Sequence, residues 1–165
     1  MRSPERQPHV LLYVPGGGFQ LESWLVLQHL DGFSVTLVLP SDSVTSPWMQ
    51  GYPLFRVSPI ITRANRAAWS VLRKLWRNIR HTWSILRQVR PTVVVCVGSS
   101  ICLPGFVLAR VLGIPRVYIE SITRTDTISQ TGLLVERLRL ASRFYVQWPE
   151  QVDGRPRRHY SGTIL

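Results

Sequence analysis

Three short polar stretches hold the residues that could do chemistry: Pro15-Gly16-Gly17-Gly18, Gly98-Ser99-Ser100 and Glu120-Ser121-Ile122-Thr123-Arg124. Glycine amides, serine hydroxyls and the Arg124 guanidinium suit a phosphate or diphosphate. Glu120 suits a sugar hydroxyl or a general-base role, and equally a carboxylate that pairs with Arg124 or caps a loop. The first stretch is not a dinucleotide fingerprint, because Leu21 takes the place of the third glycine. Asp42 stands at a loose spacing for a ribose-binding acid. No Gly-Lys-Ser/Thr follows the glycines, which excludes a P-loop NTPase. His9, His29, His81 and His159 are scattered, with no Ser-His-Asp order and no Cys-His pair. Cys96 and Cys102 have neither disulfide-framework nor metal spacing and are expected as small core side chains of a reduced protein. No metal or cofactor is expected.

Each polar stretch follows an apolar run, at His9–Val14, Thr92–Val97 and Val117–Ile119. Phe19–Leu30 and Leu103–Leu112 have helical length, and Gly113 with Pro115 punctuates the second. Strand, turn, helix and strand in that order imply a parallel sheet, with ligands beyond the carboxyl ends of its strands. The three stretches are therefore expected on one rim. Phe33–Leu39, Tyr52–Val57 and Phe144–Gln147 read as further strands. Gly132–Ala141 reads as a short helix with Leu133, Leu134, Leu138 and Ala141 inward. The whole is expected as one Rossmann-like α/β domain over 9–165, with helices on both faces of the sheet, after a flexible 1–8. That amino-terminal segment is neither a signal peptide nor a transmembrane anchor. The uncharged run Pro91–Ala109 approaches the length of a membrane span, but Gly98-Ser99-Ser100 and Pro104 break its middle.

The net charge of +11 has a location. No Asp or Glu occurs between Val44 and Ile119, while acids and bases balance elsewhere. Concentrated positive charge implies an anionic partner. Within that span, Thr62–Arg90 reads as a long helix with Trp69, Leu72, Trp76, Ile79, Trp83 and Leu86 on one face. Arg66, Arg73, Lys74, Arg77, Arg80 and Arg87 flank them. Trp69, Trp76 and Trp83 ringed by cations suit an interfacial membrane contact. The other reading is a sheet-covering helix whose apolar stripe is core. Trp and Arg also interleave in nucleic-acid binders, but no helix-turn-helix, zinc finger or RNP motif appears, and no nucleic-acid partner is expected.

Val-Gly98-Ser-Ser-Ile-Cys-Leu-Pro104, Val-Tyr-Ile-Glu120-Ser-Ile-Thr-Arg124, Ser129-Gln-Thr-Gly132 and Phe144-Tyr-Val-Gln147-Trp148 together resemble one family. They are similar to the acceptor-side subunit of two-component glycosyltransferases. That family includes the eukaryotic anchor subunit of the dolichol-linked N-acetylglucosaminyltransferase and bacterial capsule and exopolysaccharide subunits. The resemblance implies the amino-terminal Rossmann-like half of a GT-B glycosyltransferase. It implies a chain that holds a polyprenyl-diphosphate saccharide at the cytoplasmic face of the membrane, peripherally, and recruits the nucleotide-sugar-binding subunit. The alternative is a membrane scaffold that only recruits that partner. Gly16, Gly17, Gly18, Ser99, Ser100, Ser121 and Arg124 become candidates for the acceptor diphosphate, and Glu120 the candidate catalytic residue. Where the family reads Ser-Gly-Gly-His, this chain has Gly16-Gly17-Gly18-Phe19, so no histidine base stands there. The eukaryotic members' amino-terminal membrane helix has no counterpart, which leaves the Trp/Arg helix as the candidate contact.

Overall fold

The chain begins with β1 (His9–Tyr13), α1 (Phe19–Leu27), β2 (Ser34–Pro40), β3 (Leu54–Val57) and α2 (Ala68–Val89). It continues through β4 (Val93–Val97), α3 (Leu103–Val111), β5 (Arg116–Ile119), α4 (Gln130–Arg137), β6 (Arg143–Val146) and β7 (Arg158–Tyr160). This computed structural model describes residues 7–58, 68–152, 154 and 157–164, with the side chains of 68–72, 74 and 75 outside the description. Most of the expected flexible 1–8 segment and the first residues of the expected Thr62–Arg90 helix lie outside the described residues.

All the strands pair in parallel, in the order β3-β2-β1-β4-β5-β6-β7. Alternate residues of β1 serve opposite faces: Leu11 and Tyr13 enter one core, Val10 and Leu12 the other. β4 divides the same way, Val94 and Cys96 against Val95 and Val97. Strands covered on both sides need apolar residues at every position, which is why these runs are continuous rather than alternating. Val26 and Leu27 of α1 fill one core; Ile85 and Leu86 of α2, Phe106 and Ala109 of α3 and Val135 of α4 fill the other. The expected α/β architecture with helices on both faces is therefore present. β7, which sequence patterning does not reveal, adds the last strand and is tied down by Arg158. The Arg158 guanidinium donates to both Glu136 carboxylate oxygens, at 2.9 and 2.7 Å, and to the Gln151 carbonyl at 2.9 Å.

Two helix faces differ from expectation. In α2 the core side carries Asn78, Thr82, Ile85 and Leu86, a stripe at four- and three-residue spacing that includes two polar members. Thr82 donates to the Asn78 side-chain oxygen at 3.1 Å, and the Asn78 amide donates to the Ser58 carbonyl beyond β3, so both polar groups are satisfied. Trp76 points outward and is 63% exposed. In α4 the inward residues are Gly132 and Val135, whereas Leu133, Leu134 and Leu138 are exposed and Ala141 lies beyond the helix, half-buried. Ser129 fixes that rotation as N-cap, its hydroxyl accepting from Gly132 N–H at 3.0 Å.

Candidate functional site

Loops leaving β2, β1 and β4 meet at the carboxyl edge of the sheet around a cleft of about 680 Å³. Pro15, Gly16, Gly17, Phe19 and Gln20 form its floor, Asp42, Ser43 and Val44 one wall, and Ser99, Ser100 and Ile101 the other. The strand following β1 lies on one side of it and β4 on the other, so the cleft sits at the point where strand order reverses. Ligands of open parallel sheets bind there. Gly98 makes the close packing possible: its φ is +61°, and a Cβ would collide with the Phe19 ring.

The loop after β5 is organised by two buried carboxylates. Glu22, in the first turn of α1 and 5% exposed, accepts from the Ser121 hydroxyl at 2.7 Å and from Ile122 N–H at 3.1 Å. Glu120, at 0% exposure, accepts from Ser121 N–H at 3.1 Å, from Ser129 N–H at 3.2 Å and from the Ser129 hydroxyl at 3.0 Å. A Cβ on Gly132 would collide with the Glu120 carboxylate, so glycine at that position lets the acid sit against the start of α4. Burial raises the Glu120 pKa above the ordinary carboxylate range, and hydrogen bonds from Ser121 and Ser129, with the more distant Arg124 charge, oppose the rise. From the carboxyl-terminal side, Trp148 Nε1 donates to the Ile122 carbonyl at 2.9 Å and Gln151 Nε2 to the Arg124 carbonyl at 2.6 Å.

Of the residues the sequence marks for the site, the cleft gathers Gly16, Gly17, Ser99 and Ser100. Gly18 lies just outside it as the exposed residue that starts α1. Ser121 is buried between Glu22 and Glu120. The Glu120 carboxylate turns inward to the loop instead of emerging on the rim, and among the described residues it makes no ion pair with Arg124. Arg124 is exposed on the same loop. Arg73, Arg77 and Arg80 are exposed on α2, Trp83 is half-buried with the Arg87 guanidinium 5.9 Å from its ring centroid, and the Trp69 and Lys74 side chains lie outside the described residues. Cys96 and Cys102 are free and buried, and burial pushes the Cys102 thiol up, away from a reactive thiolate. Among the described residues no group of His, Cys, Asp and Glu could hold a metal ion. Sequence reasoning misses Glu22, because one acid in an apolar helix carries no sign that it faces inward.

A family model described as oligosaccharide biosynthesis protein Alg14 like matches residues 23–164. The chain belongs to the Alg14-like family. This Alg14-like chain is 32% identical over 103 residues to the UDP-N-acetylglucosamine transferase subunit ALG14 of Homo sapiens, which covers 59% of the chain and 45% of the relative. It is also 32% identical over 102 residues to a Nocardioides UDP-N-acetylglucosamine–N-acetylmuramyl-(pentapeptide) pyrophosphoryl-undecaprenol N-acetylglucosamine transferase, covering 61% of the chain and 27% of the relative. Among solved structures, MurG of Acinetobacter baumannii superposes with a TM-score of 0.74 at 19% identity, over 93% of this chain and 45% of that one. The fold is thus that of the amino-terminal half of a GT-B glycosyltransferase. The Alg14-like chain spans about half the length of the human and rat relatives it matches.

Proposed function

We propose that the chain is the acceptor-side subunit of a two-component glycosyltransferase of oligosaccharide or polysaccharide biosynthesis. It holds a polyprenyl-diphosphate saccharide at the cytoplasmic face of a membrane and recruits a nucleotide-sugar-binding subunit. The observation that carries this reading is the cleft at the strand-order reversal, walled by glycine amides and the hydroxyls of Ser43, Ser99 and Ser100. Such donors match the oxygens of a diphosphate. The names of the human and Nocardioides relatives support the sugar-transfer chemistry, and the Nocardioides name supports a polyprenyl-diphosphate acceptor.

The membrane contact in this reading is α2. Its 22 residues make a rod of about 33 Å, twice the length of a strand such as β4. Since α2 ends where the chain turns into β4, its amino-terminal turns reach past the carboxyl edge towards the cleft side. Trp76, Arg73 and Arg77 ride on those turns and are exposed. Among the described residues no helix is long and apolar enough to cross a membrane, so the contact proposed is interfacial.

Direct binding tests the acceptor role. The chain should bind a short-chain polyprenyl-diphosphate saccharide in a titration, and Ser100→Trp, which fills the cleft, should abolish the signal while leaving the melting temperature in place. Phe19, in place of the family histidine, is the observation that favours the recruiting scaffold. That second reading expects no acceptor binding at all.

A further inference from the structure

The cleft has the Ser99 and Ser100 hydroxyls on one wall, and Ser43 beside a single ionisable group on the other. Among the described residues that line it, only Asp42 carries an acid or a base; the rest are glycines, prolines, serines, Gln20, Phe19, Val44 and Ile101. Serine hydroxyls do not take protons near neutral pH, and Phe19 has none to exchange. Glu22 and Glu120, which organise the neighbouring loop after β5, are buried and already bonded to Ser121, Ile122 and Ser129. Asp42, by contrast, is exposed to the cleft and makes no hydrogen bond or ion pair among the described residues.

The segment that presents Asp42 is held firmly. Arg56 Nη1 donates to the Ser43 carbonyl at 2.7 Å and to the Pro40 carbonyl at 3.3 Å. Gln20 Nε2 donates to the Val44 carbonyl at 2.8 Å, and the Ser46 hydroxyl returns a bond to Gln20 Oε1 at 2.6 Å. Ser41 N–H reaches the Val57 carbonyl at 2.8 Å and Ser43 N–H the Pro40 carbonyl at 3.2 Å. The bonds to Pro40, Ser41, Ser43 and Val44 fix the backbone around Asp42, the Ser46 hydroxyl orients Gln20, and none uses the Asp42 carboxylate. A free carboxylate on a braced loop facing a cavity is the arrangement a proton acceptor needs.

Its place also fits the ligand. Strand order puts the Asp42 loop and the Ser99–Ser100 turn on opposite sides of the glycine loop. Two strand spacings separate them, about 10 Å. That span accommodates a diphosphate against the serines and a sugar ring reaching towards the carboxylate.

We propose that Asp42 is the general base of this cleft, and the proposal rests on the acceptor-side reading above. The acceptor oxygen forms a bond to the anomeric carbon of a nucleoside-diphosphate sugar held by the partner subunit. The bond from that carbon to the diphosphate breaks, the nucleoside diphosphate leaves with the electron pair, and the acceptor hydroxyl proton passes to the Asp42 carboxylate.

The test uses the complex of this chain with its nucleotide-sugar-binding subunit and a short-chain polyprenyl-diphosphate saccharide. Asp42→Asn should lower kcat by about a hundredfold or more, the scale of a lost general base. The acceptor KM and the melting temperature should hold. Asp42→Ala should lose as much and recover part of it with added formate, a response that a purely structural aspartate would not give. Asp42→Asn with wild-type kcat, or Asp42→Ala deaf to formate, would overturn the proposal. A wild-type complex that binds acceptor but transfers nothing would overturn the reading of function beneath it, and this assignment with it.

Discussion

Ser121 is gripped from two sides, by the Glu22 carboxylate at its hydroxyl and the Glu120 carboxylate at its amide. The grip links α1, the end of β5 and the cap of α4, with the Glu120 carboxylate at its centre. Replacing it should be felt in stability. Glu120→Gln puts an amide nitrogen in place of one of the two accepting oxygens, so Ser121 N–H or the Ser129 pair of donors loses its acceptor, and an unsatisfied buried donor costs about 1–3 kcal/mol. The pH dependence has a definite sign. Burial raises the native pKa above its ordinary value of 4.5, so the folded state binds the proton more tightly than the unfolded one. The wild type therefore loses stability as pH rises through the window that opens near 4.5 and closes at the raised native value. Thermal melts of both proteins across that window should show the gap between wild type and Glu120→Gln narrowing as pH rises. A gap that widens with pH, or none at all, would contradict the buried-acid account. The sequence places Glu120 at the end of a strand and so at the rim. It does not show which way the side chain turns, because that is set by Ser129 nine residues on and by the missing Cβ of Gly132.

The central strands β1 and β4 are legible as elements because they are buried on both faces and so read as unbroken apolar runs; the helices are legible in position but less so in orientation. β7 is not, since Arg-His-Tyr has no apolar signature and owes its place to the Arg158–Glu136 pair. α2 misleads for a related reason. Its tryptophans recur at helical spacing and read either as a membrane-facing stripe or as core, while the face against the sheet includes Asn78 and Thr82, whose polarity is absorbed by bonds to each other and to Ser58. An exposed Trp76 among Arg73, Arg77 and Arg80 then becomes the motive for the membrane contact. Vesicle sedimentation gives the measure. Arg73→Gln, Arg77→Gln and Arg80→Gln together should weaken binding to anionic vesicles by at least tenfold, since each cation near such a surface adds about 1 kcal/mol. Salt should release the wild type in the same assay. Equal binding to neutral and anionic vesicles would remove the electrostatic part of the contact.

At the scale of the whole molecule, the charge excess and the cleft adjoin. The acid-free region from Val44 to Ile119 supplies β3, α2, β4, α3 and β5, and with them Val44 and the Ser99–Ile101 wall of the cleft. A membrane-bound α2 would therefore hold the cleft near the lipid headgroups, where the diphosphate of a polyprenyl carrier resides. Nothing along the cleft wall resembles a nucleotide site: the glycine loop lacks the dinucleotide fingerprint, and its single acid is Asp42. In the function proposed above, donor binding falls to another subunit and acceptor binding to this chain. Reconstitution tests that division most directly. Labelled sugar transfer from a nucleotide sugar to a polyprenyl-diphosphate saccharide should be measured on vesicles with this chain alone, the partner subunit alone, and both. The account predicts transfer only when both are present; equal transfer by the partner without this chain, or robust transfer by this chain alone, would contradict it.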